Sequence, residues 1–161
     1  MTALRAATVA DVAVIGELIR ELAVYENLAA QAVATDAELA RWLFGERPAA
    51  EVVLAEHDAE VVGFALCFTN FSTFLGKPGL YLEDLFVRPA ARGHGLGRAL
   101  MIHLAQLAVA RGYGRFEWSV LDWNQPAIDF YRRLGAEAMD EWTVYRVTGD
   151  ALAALAHVGS A

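Results

Sequence analysis

The chain has one cysteine, four prolines, and thirteen basic side chains against twenty acidic ones in 161 residues. A single cysteine excludes an intrachain disulfide, and Cys67 lies in an apolar run, where a free thiol serves as a small buried hydrophobe in a reducing compartment. The net charge of −7 comes with no dense Lys/Arg cluster, which argues against a nucleic-acid face. An acidic surface favours a cationic small partner and equally serves solubility, so charge alone decides nothing. The longest uncharged run, Val61 to Gly76, is too short for a membrane span and contains Thr69, Asn70, Ser72 and Thr73. No basic start followed by an apolar block opens the chain, so no secretory signal is read and a cytoplasmic location is expected. His57, His103 and His157 lack Cys, His or carboxylate neighbours at metal-ligand spacing, so no metal is expected. Repeats, linkers and low-complexity tracts are also missing.

What is present suits one domain with a real core, spanning residues 1–161 with the core at about 4–147 and a short tail at 148–161. Leu4 to Ala6 reads as a first strand. Thr8 and Asp11 resemble a helix start, and Val12, Ile15, Leu18, Ile19 and Leu22 then recur at helical spacing as far as Tyr25-Glu26-Asn27. Thr35 and Glu38 form a capping box ahead of Leu39, Trp42 and Leu43, and Gly45 and Pro48 end that helix. Glu51–Glu56 and Glu60–Phe68 are β-rich runs joined by a turn at His57-Asp58-Ala59, apolar enough to be covered on both faces. Asn70 to Gly79 reads as a loop, and Leu80 to Val87 as the central strand. Leu96, Leu100, Leu104, Leu107 and Ala108 stripe the next helix, which Gly112 stops. Arg115–Leu121 is a strand, Asn124 or Asp122 caps a helix with Pro126 in its first turn, and Gly135 ends it. Glu141–Val147 reads as a last strand, and Asp150–His157 as a short helix or frayed tail. The pattern is mixed α/β.

The most informative stretch is Leu80 to Leu104. A strand stops at Arg88-Pro89, and Arg92-Gly93-His94-Gly95-Leu96-Gly97 opens directly into a helix. Strand, glycine loop and helix N-terminus together build an anion site, because unpaired first-turn N–H groups and the helix dipole both favour phosphate. The loop lacks the Gly-Lys-Ser/Thr of a nucleotide P-loop and does not fit G-x-G-x-x-G. Three glycines also make an ordinary tight turn, so the loop alone leaves both readings open.

Arg92-x-x-Gly95-x-Gly97 resembles the pyrophosphate loop of the GNAT superfamily of N-acetyltransferases. Moving an acetyl group from a thioester to an amine poses three problems. An amine of pKa ~10 must lose a proton, the oxyanion needs donors, and the departing thiolate must be protonated. Glu83 and Asp84 are adjacent in a strand, so simple alternation faces them to opposite sides and forbids a paired dyad. An apolar strand gains no stability from two carboxylates, which favours function for Glu83. Tyr131, judged alone, reads better as a core residue than as a chemical one.

Leu80-Tyr-Leu-Glu-Asp-Leu-Phe-Val87, the glycine loop, Asp122-Trp-Asn-Gln-Pro-Ala-Ile-Asp-Phe-Tyr-Arg-Arg-Leu-Gly-Ala136 and Ile19-Arg-Glu-Leu-Ala-Val-Tyr-Glu26 together resemble the diamine acetyltransferase branch. Val120 to Gln125 is more similar to its thialysine-acetylating members than to its spermidine/spermine enzymes. The resemblance implies a GNAT fold, a twisted mixed sheet that splays between Leu80–Val87 and Arg115–Leu121 around acetyl-coenzyme A, with helices on its flanks. It implies Tyr131 as the acid for the thiolate and Glu83 as the carboxylate that relays the amine proton through water. Leu85, Phe86 and Val87 would bind the pantetheine arm, and Arg92, Gly93, His94, Gly95, Leu96, Gly97 and Arg98 the pyrophosphate, with Asn124 and Ala127 as further coenzyme contacts. Tyr25, Glu26, Glu83, Asp84 and Glu141 would meet the amine. The segment around Glu137 to Trp142 is shortened relative to the family pattern, which weakens the match at Glu141. The expected enzyme is a homodimeric acetyltransferase for a polyamine, a diamine or a lysine-like amino acid, working by direct transfer in a ternary complex. Other amines (an antibiotic or a protein N-terminus) and a non-catalytic acyl-CoA sensor are the competing readings. Retention of both Glu83 and Tyr131 speaks against the sensor.

Overall fold

In the computed structural model, which describes residues 1–159, the chain forms two compact units, Met1–Ser119 and Val120–Ala161. The first unit is built on one sheet whose strand order follows the chain. Its strands are β1 (Thr2–Ala6), β2 (Glu51–His57), β3 (Glu60–Ser72), β4 (Lys77–Val87) and β5 (Phe116–Trp118). The first three pairings are antiparallel, and β4–β5 is parallel, as joining two neighbours through a crossover helix requires.

Three helices cover the sheet. In α1 (Val12–Tyr25), Val12, Ile15, Leu18 and Leu22 are buried at intervals of three and four residues, which is one face of a helix. In α2 (Asp36–Phe44) the expected capping box is present. The Glu38 N–H donates to Thr35 Oγ1 at 3.2 Å, and the Thr35 N–H donates to the Glu38 carboxylate at 2.9 Å. Ile15, Leu18, Leu22 and Leu43 pack on Val52, Leu54, Phe64 and Phe86, which forms the core on one face of the sheet. By strand alternation Ala65 and Cys67 point to the other face, where α3 (Leu96–Ala110) lies across β2, β3 and β4 with Leu100 and Leu104 fully buried.

Two side-chain anchors set the frame of the later site. Arg88, just past β4, sends Nε and an Nη to the Glu21 carboxylate (3.1 and 2.8 Å) and another Nη to the Val61 carbonyl (3.1 Å), so the end of β4 is tied to α1. Arg5 joins β1 to Asp11 at the start of α1 and to Glu56 on β2.

The structure departs from the expected elements in three places. The loop expected over Asn70 to Gly79 is largely sheet, because β3 and β4 continue to Ser72 and from Lys77. Pro78 enters there as the second residue of its strand, where a missing N–H costs little. The strand expected over Arg115–Leu121 pairs only at Phe116–Trp118. The third departure is in the second unit, which holds α4 (Gln125–Arg133) and α5 (Gly149–His157). Among the described residues Glu141–Val147 joins no ladder, and its Trp142, Val144 and Tyr145 are exposed. A β-type sequence becomes a strand only when another strand takes up its backbone groups.

Candidate active site

The glycine loop folds as its composition demands. Gly93 and Gly95 have φ of +86° and +74°, a region in which L side chains are strained. Gly95 caps α3 and has no side chain to hydrogen-bond the first-turn N–H groups of that helix. A Cβ placed on Gly93, Gly95 or Gly97 would meet nothing within 4 Å. The glycines therefore leave open space above a helix N-terminus, and packing within the protein does not explain Gly97. Leu96 is buried beneath the loop, and Arg98 is exposed. The His94 ring lies 4.4 Å from the His57 ring, with its Nδ1 3.2 Å from the Ala91 carbonyl oxygen. These contacts fasten the loop to the β2–β3 turn.

Beside the loop, β4 is interrupted. Its register with β3 pairs Leu82 with Cys67 and Asp84 with Leu66, so Glu83 has no opposite number and forms a β-bulge. On its other side β4 is paired to β5 only through Leu82. Among the described residues, from Glu83 to Val87 that edge carries no strand partner, which is the splay expected between these strands. Phe86 is buried in the core, and Leu85 and Val87 are half-buried, so what this stretch offers outward is backbone.

The bulge also corrects the alternation argument. An extra residue resets the period, and Asp84 falls on the face shared by Leu66, Phe64 and Phe86 while Glu83 is exposed. The two carboxylates are electrostatically coupled rather than separated by the sheet. Burial first, then the charges of Glu83 and Glu26, push the Asp84 carboxyl up to about 6. Burial likewise raises Glu26, the residue that caps the C-terminal end of α1. A half-buried acid with repelling neighbours holds its proton to higher pH, so Asp84 is poised as a proton acceptor close to neutral pH.

Arg92 is turned toward α1. Its Nε donates to the Val87 carbonyl at 3.0 Å, and the guanidinium carbon stands 5.2 Å from the Tyr25 ring centre and 5.8 Å from that of Phe86. Tyr25 is the last residue of α1. The first unit thus brings together Tyr25, Glu26, Glu83, Asp84, the free edge at Leu85–Val87 and the loop from Arg92 to Arg98. The placing of the Arg92 guanidinium over the Tyr25 ring and the position of the bulge at Glu83 were not foreseen. Only the second left a trace in the sequence, in two consecutive carboxylates within an apolar strand.

The remaining candidates belong to the second unit. Asn124 is buried and caps α4, its Oδ1 accepting from the Ala127 N–H at 3.4 Å. Tyr131 is half-buried on the same helix with Phe130 beside it, ring centres 5.3 Å apart. Glu141 lies in the exposed segment after that helix. Among the described residues no group of His, Cys, Asp and Glu is arranged to hold a metal ion, and no helix is long and apolar enough to cross a membrane.

Residues 19–136 match the family described as Acetyltransferase (GNAT) family. An L-ornithine N5-acetyltransferase of Arabidopsis thaliana is 38% identical, the alignment covering 94% of this chain and 86% of that protein. A thialysine N-epsilon-acetyltransferase of Bos taurus is 37% identical over 95% of this chain and 96% of that protein. Among solved structures, an integron cassette protein from the mobile metagenome of V. cholerae superposes with a TM-score of 0.81 at 30% identity, covering 96% of this chain and 97% of that one.

Proposed function

Because the chain belongs to the acetyltransferase (GNAT) family, we propose that it carries acetyl from acetyl-coenzyme A to a small cationic amine: a polyamine, a diamine, or a lysine-like amino acid such as thialysine or ornithine. The chain is an N-acetyltransferase. The family match crosses the boundary between the two units, which supports reading residues 1–161 as one catalytic domain. The observation that carries the substrate and site assignment is the break in β4. A bulge against β3 sets Glu83 and Asp84 beside the edge that β5 leaves unpaired after Leu82, next to a glycine loop with room for a diphosphate.

When bound, the coenzyme supplies the activated acyl group. The first-turn N–H groups of Leu96, Gly97 and Arg98 and the open glycines hold its diphosphate, and the backbone of Leu85–Val87 aligns the pantetheine arm as an added strand would. A backbone N–H of that edge meets the charge that develops on the acetyl oxygen. The carboxylates divide the work by environment. Asp84, raised to about 6, takes the amine proton, the part that family resemblance gives to Glu83. The exposed Glu83 and the half-buried Glu26 hold the positive charge of the substrate, and Tyr25 walls the amine channel. Tyr131 returns a proton to the departing thiolate. Asn124 and Ala127 steady the coenzyme from the start of α4, and Glu141 offers a further carboxylate to the amine. Transfer is direct, in a ternary complex with no acyl-enzyme, and the working form is a cytoplasmic homodimer.

The test is free-thiol release from acetyl-CoA in the presence of thialysine, ornithine, spermidine and an aminoglycoside. Release with the first three, or a subset of them, supports the reading. Coenzyme binding with no release for any amine overturns it in favour of a sensor, and release with the aminoglycoside alone moves the substrate to another class.

A further inference from the structure

We infer that Arg92 is a positioning residue, clamping the start of the glycine loop to Tyr25 at the end of α1 and so linking the coenzyme side of the site to the amine side. The naming of those two sides rests on the proposed function; the clamp itself rests on geometry.

Three segments meet at one guanidinium. Arg92 belongs to the loop, its Nε hydrogen-bonds the last carbonyl of β4 at 3.0 Å, and its guanidinium carbon lies 5.2 Å from the Tyr25 ring centre and 5.8 Å from that of Phe86. A cation over an aromatic face is attracted by the ring quadrupole, and the Nε bond fixes which way the fork points. The family resemblance reads an arginine opening this loop as a contact for phosphate, yet its side chain is engaged by rings and a carbonyl.

The loop needs such a restraint. Gly93 and Gly95 sit at positive φ with open space above them, and glycine gives up more conformational freedom on ordering than any other residue. The side-chain anchors at its start are Arg92 and His94, and His94 is tied to Ala91 and to the His57 ring rather than to α1. Tyr25 leads directly into Glu26, whose charge acts on Asp84. Whatever orders the loop therefore orders the end of α1 that carries Glu26, and the reverse holds by linkage.

The experiment compares wild type with Arg92→Lys, Arg92→Met, Tyr25→Leu and the Arg92→Met/Tyr25→Leu double variant. Three readouts are taken: steady-state kinetics at saturating acetyl-CoA, coenzyme A binding by calorimetric titration, and amide hydrogen exchange over residues 93–98 without substrate. Arg92→Met and Tyr25→Leu are each expected to raise the amine KM about fivefold, the size of an exposed cation–π contact, with kcat within about twofold. The double variant should be no worse than either single one, and Arg92→Lys should recover most of the loss. Exchange over 93–98 should quicken in Tyr25→Leu, although that residue lies outside the loop. If the two substitutions add, or if Tyr25→Leu leaves loop exchange unchanged, the clamp is overturned. A direct phosphate contact would appear instead as weaker coenzyme A binding in Arg92→Met alone, with no loss for an acetylated pantetheine lacking the diphosphate. Exchange requires no turnover, so an inactive wild type would sink the proposed reaction while the clamp is still judged. Tyr25 is partly exposed at a helix end, where leucine is tolerated, and Arg92→Lys reads the same linkage should the Met variant fold poorly.

Discussion

Glu83 is the residue that the β3–β4 register leaves out, and Asp84 takes the place opposite Leu66 that uninterrupted pairing would have given to Glu83. Two neighbours in one strand thus occupy different environments while remaining within each other's field. Burial and two like charges act on Asp84 and lift it to about 6, where a carboxylate is half-ionised close to neutral pH. From this relationship come the first prediction and much of the chemistry.

Asp84 costs the fold stability above pH 6. A carboxyl raised in the native state binds more protons there than in the unfolded chain, so stability falls as pH rises between the unfolded value near 3.8 and about 6. A displacement of that size corresponds to at most about 3 kcal/mol. Asp84→Asn should therefore raise the melting temperature at pH 7.5 and lose that advantage below pH ~4. Activity should move the other way. In the wild type, kcat/KM should drop as pH falls below about 6; in Asp84→Asn it should be about 10²–10⁴-fold lower and lack that limb. If the limb survives in Asp84→Asn and vanishes in Glu83→Gln, the acceptor is Glu83.

Tyr131→Phe should lower kcat by about a hundredfold or more, while the dissociation constant of acetyl-CoA stays within about twofold. The substitution removes one hydroxyl and keeps the ring that packs beside Phe130. Calorimetric titration and thiol release separate the two quantities. An equal fall in affinity would make Tyr131 a binding residue.

Gly97 and Gly95 should respond differently to a side chain. Gly97 is helical with open space above it, so Gly97→Val should leave the melting temperature nearly unchanged and weaken coenzyme A binding at least about tenfold by filling the phosphate's place. Gly95→Ala forces an L residue to φ near +74°, costing about 1–2 kcal/mol of stability as well. Thermal melts run beside binding titrations test both. Tight binding by Gly97→Val would remove the diphosphate from this loop.

Cys67 should be inert in the folded protein. It is fully buried, and burial first, then the neighbouring Glu51, pushes its thiol up to about 12, leaving almost no thiolate at neutral pH. Aromatic disulfide reagents should label it only in denaturant, with the labelling rate tracking unfolding. The thiol-release assay would then carry no background from the enzyme, and rapid labelling of native protein would contradict the packing described.

The helices were legible because their signals are local. Ile15, Leu18 and Leu22 announce a face three and four residues apart, Thr35 and Glu38 cap each other within a single turn, and Gly112 and Gly135 stop their helices with positive φ. The glycine loop was legible for the same reason: its glycines, its lack of side-chain caps and the helix behind it are contiguous in the chain. Strand limits were harder. The ends of β3, β4 and β5 depend on how far a partner runs alongside, which no one segment encodes, and Glu141–Val147 shows a strand-like composition without a ladder among the described residues.

The order of residues by itself determined the mixed α/β pattern, the family, and the glycines and carboxylates of the proposed site, because periodicity, caps and contiguous motifs act over a few residues. Only the tertiary structure decided that the bulge falls at Glu83, that Asp84 turns to the buried face, that β5 parts from β4 after Leu82, and that Arg92 stacks on Tyr25. Each of these is a relation between segments far apart in the chain. Their register and their electrostatic environment come into being when the segments meet, and the chemistry of a carboxylate depends on that environment as much as on its identity.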